Sequence, residues 1–140
     1  MRRVLAVDYG GRRTGLAVSD AAGITAQPLE PINSSDLPET VQGVVEVAAS
    51  REVGVILVGM PYMPDGSEGE QASHVRLFAS ELAKQLPEGT EVIFKDERHT
   101  TKEAASLWRQ AGIQGKKAKP FLDSTAAVVL LREYLEETVV

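Results

Sequence analysis

The six residues Val53 to Val58 (VGVILV) are apolar or glycine throughout, with no alternation. A strand with one wet face alternates apolar and polar residues. One that is apolar throughout is covered on both faces, as a central parallel strand is by helices above and below it. The flanking sequence supplies those helices. Upstream, Asp36 is a fitting N-cap, with Pro38 and Glu39 behind it and Val41, Val44, Val45 and Ala48 at helical spacing. Downstream, Gly59-Met60-Pro61 is expected to stop the strand, and a polar loop runs from Tyr62 to Gly69. A helix from Gln71 to Leu86 then places Val75, Phe78, Ala79, Leu82 and Leu86 on one face, and Pro87 and Gly89 end it. Glu91 to Lys95 (EVIFK) reads as the next strand. Strands joined through helical crossovers lie parallel.

The N-terminal third has a different rhythm. Arg3 to Asp8 (RVLAVD) and Thr14 to Ser19 (TGLAVS) are short apolar runs around the glycine turn Tyr9-Gly10-Gly11-Arg12-Arg13, an antiparallel hairpin. Ile24 to Ile32 follows as a third strand, which Pro28 and Pro31 confine to the sheet edge. Near the C-terminus, Thr101 suits the N-cap of a helix through Ala111. A basic loop spans Gly115 to Lys119, and Pro120 suits the first turn of a last helix running to about Glu136. The fold class is α/β, a mixed five-stranded sheet with strands one to three antiparallel. A chain of 140 residues without repeat or linker is expected to form one domain, residues 1–140.

Composition closes off several functions. The absence of cysteine excludes disulfides, thiolate metal sites and cysteine nucleophiles. No 18-residue apolar stretch and no signal peptide occur, so a cytoplasmic protein without a membrane partner is expected. The net charge of −5 is unevenly spread: residues 1–13 sum to +3, residues 96–120 to +3, and the rest to −11. The positive segments also carry the acids of greatest interest.

Asp8 ends a buried strand before a glycine turn, Asp96-Glu97 follow the fifth strand, and Asp123 stands in the first turn of the last helix. In open α/β sheets the loops at the C-terminal ends of parallel strands line the binding crevice. The small residues Ala126 and Ala127 let the last helix approach that sheet, bringing Asp123 to the same edge. Acids gathered in one partly buried place repel unless protons or cations neutralise them. An all-oxygen donor set selects hard ions, Mg²⁺ or Mn²⁺, and a pair of these about 4 Å apart can activate water and stabilise the leaving oxygen of a phosphodiester. Bland readings stand beside these. Asp123 is favoured by the helix macrodipole, Asp8 can cap its turn, and Glu97 can pair with Arg98 or Lys95. Asp20 is a weak further ligand and more simply a turn residue; His99 and His74 read as loop and exposed helix residues, and Trp108 as core or helix packing. Residue type alone leaves Asp96 and Glu97 open as the inward acid.

Asp8 to Asp20 (DYGGRRTGLAVSD), Gly59-Met60-Pro61 with Gly66, Asp96-Glu97-Arg98-His99-Thr100-Thr101, and Asp123-Ser124-Thr125-Ala126-Ala127 followed by Leu130-Leu131 and Tyr134-Leu135 together resemble the YqgF/RuvX family of RNase H-like nucleases. The resemblance spans nearly the whole chain in order. It implies an RNase H-like fold with sheet order 3-2-1-4-5. It also implies a metal-dependent nuclease described as resolving Holliday junctions or maturing the 5′ end of pre-16S ribosomal RNA. Carried over by motif, Asp8, Glu97 and Asp123 would be catalytic metal ligands. Arg13 and Arg98 would contact phosphate or orient the acids, and Lys116, Lys117 and Lys119 would track the nucleic-acid backbone. The expected product end is a 5′-phosphate, and a monomer or a homodimer would suit RNA trimming or a two-fold junction respectively. In this chain the strand-four position that commonly holds an acid in RNase H-like enzymes is Gly59-Met60-Pro61.

Two other classes fit parts of the pattern. A non-catalytic RNA-binding or ribosome-assembly factor could keep the fold, although all three acids are present. An Asp-x-Gly hairpin also occurs in actin-like ATPases and sugar kinases, which need two such domains around their nucleotide.

Overall fold

The computed structural model describes residues 2–97 and 119–138, the stretch 119–123 in its backbone only. The elements are β1 (Arg3–Asp8), β2 (Arg13–Ser19), β3 (Ala26–Asn33), α1 (Leu37–Ser50), β4 (Val53–Met60), α2 (Glu70–Gln85), β5 (Glu91–Asp96) and α3 (Lys119–Thr138). The expected helix from Thr101 to Ala111, the basic loop and Trp108 lie outside the described residues.

One sheet runs in the order β3-β2-β1-β4-β5, the RNase H-like arrangement that the motifs imply. β1 pairs antiparallel with β2 and parallel with β4, and β4 pairs parallel with β5. The C-terminal ends of β1, β4 and β5 therefore share one edge. Period-two alternation divides the core between the two faces. Leu5, Val7, Leu16, Val18, Ile56, Val58 and Met60 pack under α1 and α2 with Val44, Phe78 and Leu82. On the opposite face Val4, Ala6, Ala17, Val55 and Leu57 pack under α3 with Ala127, Leu130, Leu131 and Leu135. β4 is covered on both sides, as its unbroken apolar run requires.

Asp36 caps α1 by accepting from the Glu39 N–H at 3.0 Å. β3 takes the edge, and its register with β2 shifts between Thr14 and Leu16. β4 runs two residues past the expected stop, pairing Gly59 with Lys95 and Met60 with Asp96. Gly59 there provides space rather than a turn.

Candidate active site

Asp8 occupies the last position of β1 on the α3 face, following Val4 and Ala6 at alternate positions. Its register partner on β2 is Gly15. Val7 pairs with Val58 on β4, so Gly59 is level with Asp8 on the other side. A glycine on each neighbouring strand leaves room around the carboxyl group.

Glu97 fills that room. On β5 Ile93 packs on the α3 face, so by alternation Lys95 and Glu97 share that face, while Asp96 falls with Val92 on the other. The Glu97 N–H donates to the Met60 carbonyl at 3.1 Å, continuing the β4–β5 pairing beyond the strand. A Cβ added at Gly59 would stand 2.5 Å from the Glu97 Oε2 and 2.7 Å from the Leu130 Cδ1. The strand-four position lacks an acid because the strand-five acid lies across it.

Asp8 and Glu97 share a hydrogen bond between their carboxyl groups, which requires a proton on one of them. Burial, and after it the nearby Asp8 charge, push Glu97 up to about 8; burial also raises Asp8, against the hydrogen bond from Glu97. In metal-free protein at neutral pH, Glu97 is the protonated partner. A carboxyl raised on folding stabilises the protein fully below its unfolded value, and that contribution is lost as pH rises towards the folded one. Thermal stability in EDTA is therefore expected to fall between about pH 4.5 and about 8 relative to Glu97→Gln. The slope is at most about 1.4 kcal/mol per pH unit for one proton. Parallel pH profiles of the two proteins would contradict the shared proton.

The turn and the neighbouring helix hold the Asp8 end of β1. A side chain at Gly10 would collide with the Arg13 carbonyl, so glycine is required there. The Thr14 hydroxyl, fully buried, closes the turn by accepting from the Gly10 N–H at 3.4 Å. Tyr9 stacks on Phe78 of α2, ring centroids 4.4 Å apart. A groove of about 340 Å³ beside the turn is lined by Tyr9, Gly11, Glu70, Gln71 and His74.

Other expected residues distribute as follows. Arg13 is exposed at the start of β2, on the Asp8 side of the hairpin. Arg98, His99, Lys116 and Lys117 lie outside the described residues, and Lys119 opens α3. Asp123 is the fifth residue of α3, because the helix begins at Lys119. It therefore lies beyond the first turn, where the macrodipole has its effect. Asp20 is a turn residue: its Oδ1 accepts from the Ile24 N–H at 2.7 Å and the Thr25 N–H at 3.2 Å. His74 is exposed, 3.8 Å from Glu70. Lys95 turns to Glu137 (2.7 Å) and Glu133 (3.7 Å) of α3. The positive N-terminal segment splits between the two ends of β1. Arg2 precedes the strand, pairs with Glu91 at 3.3 Å and donates to the Gly89 carbonyl at 3.0 Å, so it is no part of the Asp8 edge. Among the described residues no group of three or more metal-ligating side chains assembles, so the described site is the Asp8–Glu97 pair. One contributor escapes a reading by residue chemistry, Gly59, which signals itself only as a missing acid on strand four.

A family model described as RuvX, Holliday junction resolvase, matches residues 2–137. A protein of a Sulfurihydrogenibium species named as a pre-16S rRNA nuclease is 36% identical over 136 residues, covering 97% of this chain and 91% of its own. A protein of the same name from Halalkalibacterium halodurans is 38% identical over 136 residues, with 96% of each chain covered. Among solved structures, Thermus thermophilus RuvC in complex with a Holliday junction substrate aligns with a TM-score of 0.60 at 18% identity, covering 99% of this chain and 97% of its own. The Fowlpox virus resolvase aligns at 0.62 and 15%, covering 99% of both chains. These structures share the RNase H-like fold. The sequence matches, spanning almost the full length, go further: this chain is a member of the RuvX family of nucleases.

Proposed function

We propose that this nuclease is divalent-metal-dependent, that Asp8, Glu97 and Asp123 are its catalytic acids, and that it cleaves structured nucleic acid to leave a 5′-phosphate. The favoured substrate is the 5′ extension of precursor 16S ribosomal RNA. The observation that carries the reading is the carboxyl pair of Asp8 and Glu97, packed over Gly59 and joined through a proton. Two acids pressed together at the end of parallel strands cost stability when both ionise. A hard cation that replaces the proton removes that cost, and an all-oxygen pair fits Mg²⁺ or Mn²⁺.

Asp8, Glu97 and Asp123 would hold the ions, two by analogy with phosphodiester-cleaving sites, and when bound such ions supply an activated water and charge stabilisation of the leaving oxygen. The chain's own part is orientation. β1 and β5 hold two acids rigidly at one edge. Asp123 stands four and seven positions before Ala127 and Leu130, which pack against the sheet. Arg13, Arg98, Lys116, Lys117 and Lys119 would engage phosphates around the site, which the acidic remainder of the chain does not. The whole chain would act as one nuclease domain, as monomer or homodimer. The proposed site of action is the cytoplasm; among the described residues no helix is long and apolar enough to cross a membrane.

The test is a cleavage assay titrated with Mn²⁺ or Mg²⁺ on a 5′-extended 16S rRNA fragment and on a four-way DNA junction. Metal-dependent cleavage of the RNA is expected, with loss in Glu97→Gln of at least about tenfold. Preferential cutting of the junction would reassign the substrate to branched DNA, and cleavage in EDTA would contradict metal dependence.

A further inference from the structure

Ser124 is fully buried in the second turn of α3. Its hydroxyl accepts from the Leu16 N–H at 3.2 Å and donates to the Leu29 carbonyl at 2.7 Å. Leu16 and Leu29 are register partners across β2 and β3, next to the shift that sets Glu30 and Pro31 opposite Gly15 alone. At this bulge the serine hydroxyl stands between the two strands, serving a donor of one and an acceptor of the other. A helix side chain built into a sheet seam fixes both the height and the rotation of its helix turn.

That seam is level with the site. Leu16 follows Gly15, the register partner of Asp8. Asp123 precedes Ser124 directly, its Cα about 3.8 Å away. We propose that Ser124 is a positioning residue, whose two hydrogen bonds into the β2–β3 seam set the helix turn carrying Asp123 against the Asp8 end of the sheet. The inference rests on the reading of Asp123 as a catalytic acid.

The protein contains a matched control. Ser19, equally buried, also serves a strand donor through its hydroxyl, accepting from the Val4 N–H at 2.9 Å. It lies at the opposite end of β1. Ser19→Ala and Ser124→Ala each strip a buried hydroxyl from a strand N–H, but only the second loosens the helix turn beside Asp123.

The experiment compares both variants and Asp123→Asn in the full chain, on the 5′-extended 16S rRNA fragment with Mn²⁺. It reads kcat, KM, the Mn²⁺ concentration for half-maximal rate, and Tm. Ser124→Ala is expected to lose about tenfold in kcat, to need more Mn²⁺, and to keep KM within about twofold. Ser19→Ala is expected to retain kcat and Mn²⁺ dependence despite a lowered Tm. Ser124→Cys fills the same volume with a weaker donor and acceptor, and shows the same split if the alanine variant does not fold. Equal kcat losses in Ser19→Ala and Ser124→Ala, or unchanged Mn²⁺ dependence in folded Ser124 variants, would overturn the positioning role. Full cleavage by Asp123→Asn would instead remove the underlying reading of Asp123, and the positioning role with it.

Discussion

Asp8→Asn is expected to lose cleavage by at least about a hundredfold, while binding of uncleaved substrate changes little. The substitution keeps the shape of the side chain and removes its charge. Asp8 ends a strand whose preceding four residues are fully buried, so the backbone that positions it has no freedom to compensate. The altered chemistry is confined to the pair: Glu97 loses the neighbouring charge and the hydrogen-bonded partner that help hold its proton. Single-turnover cleavage across a Mg²⁺ or Mn²⁺ series, set beside fluorescence anisotropy of the same RNA, separates the two effects. Undiminished cleavage at saturating metal would remove Asp8 from the catalytic set. Lost binding with intact turnover would move it to substrate recognition.

Gly59→Ala is the second large effect, and it requires no change of charge. The new methyl would fall 2.5 Å from the Glu97 carboxylate and 2.7 Å from Leu130, which is itself fully buried. Leu130 is locked in the core between α3 and the sheet, whereas the end of the Glu97 side chain can turn aside. Relief therefore comes mainly from displacing the acid. The expected stability loss is about 1–3 kcal/mol, as for overpacking elsewhere, with cleavage falling about tenfold or more. Gly54→Ala is the control for overpacking away from the site. Its methyl would collide with the Arg2 side chain, 2.5 Å from Cδ and 2.8 Å from Cβ, at the far end of the sheet. It is expected to cost stability without a comparable loss of cleavage. Urea unfolding and kcat for the two variants decide the matter. A fully active Gly59→Ala would show that Glu97 has no need of the space above strand four.

The same glycine shows where reading the chain succeeds and where it stops. Local chemistry carries the framework: the apolar run at Val53 to Val58, the Asp36 cap and the prolines of β3 each follow from neighbours within a few residues. Gly59 reads as a strand stop by that logic, yet β4 continues through Met60 because pairing with β5 carries it on. Choosing Glu97 over Asp96 requires the face on which each strand's alternation falls. That depends on register between strands brought together by a crossover, which no local signal specifies. Charge counting along the chain fails for a related reason. Residues 1–13 sum to +3, but a six-residue strand at about 3.3 Å per residue carries Arg2 roughly 20 Å from the Asp8 edge. Asp123 is displaced from its expected first-turn position by where α3 starts, with Lys119 and Pro120 already helical. Ser124 is legible only in three dimensions, since its partners Leu16 and Leu29 lie 108 and 95 residues away.

The most direct test of the carboxyl pair as a metal site is the proton count on metal binding. Calorimetric titration of the full chain with Mn²⁺ at pH 7, in two buffers of different ionisation enthalpy, reads that count without requiring turnover. Glu97 is held up to about 8, so wild type is expected to release close to one proton per chain on binding. Glu97→Gln should release far less, Asp8→Asn, in which burial still raises Glu97, an intermediate amount, and both should bind more weakly. Mn²⁺ binding with no proton released by wild type, or wild-type release retained in Glu97→Gln, would place the metal elsewhere and contradict the account.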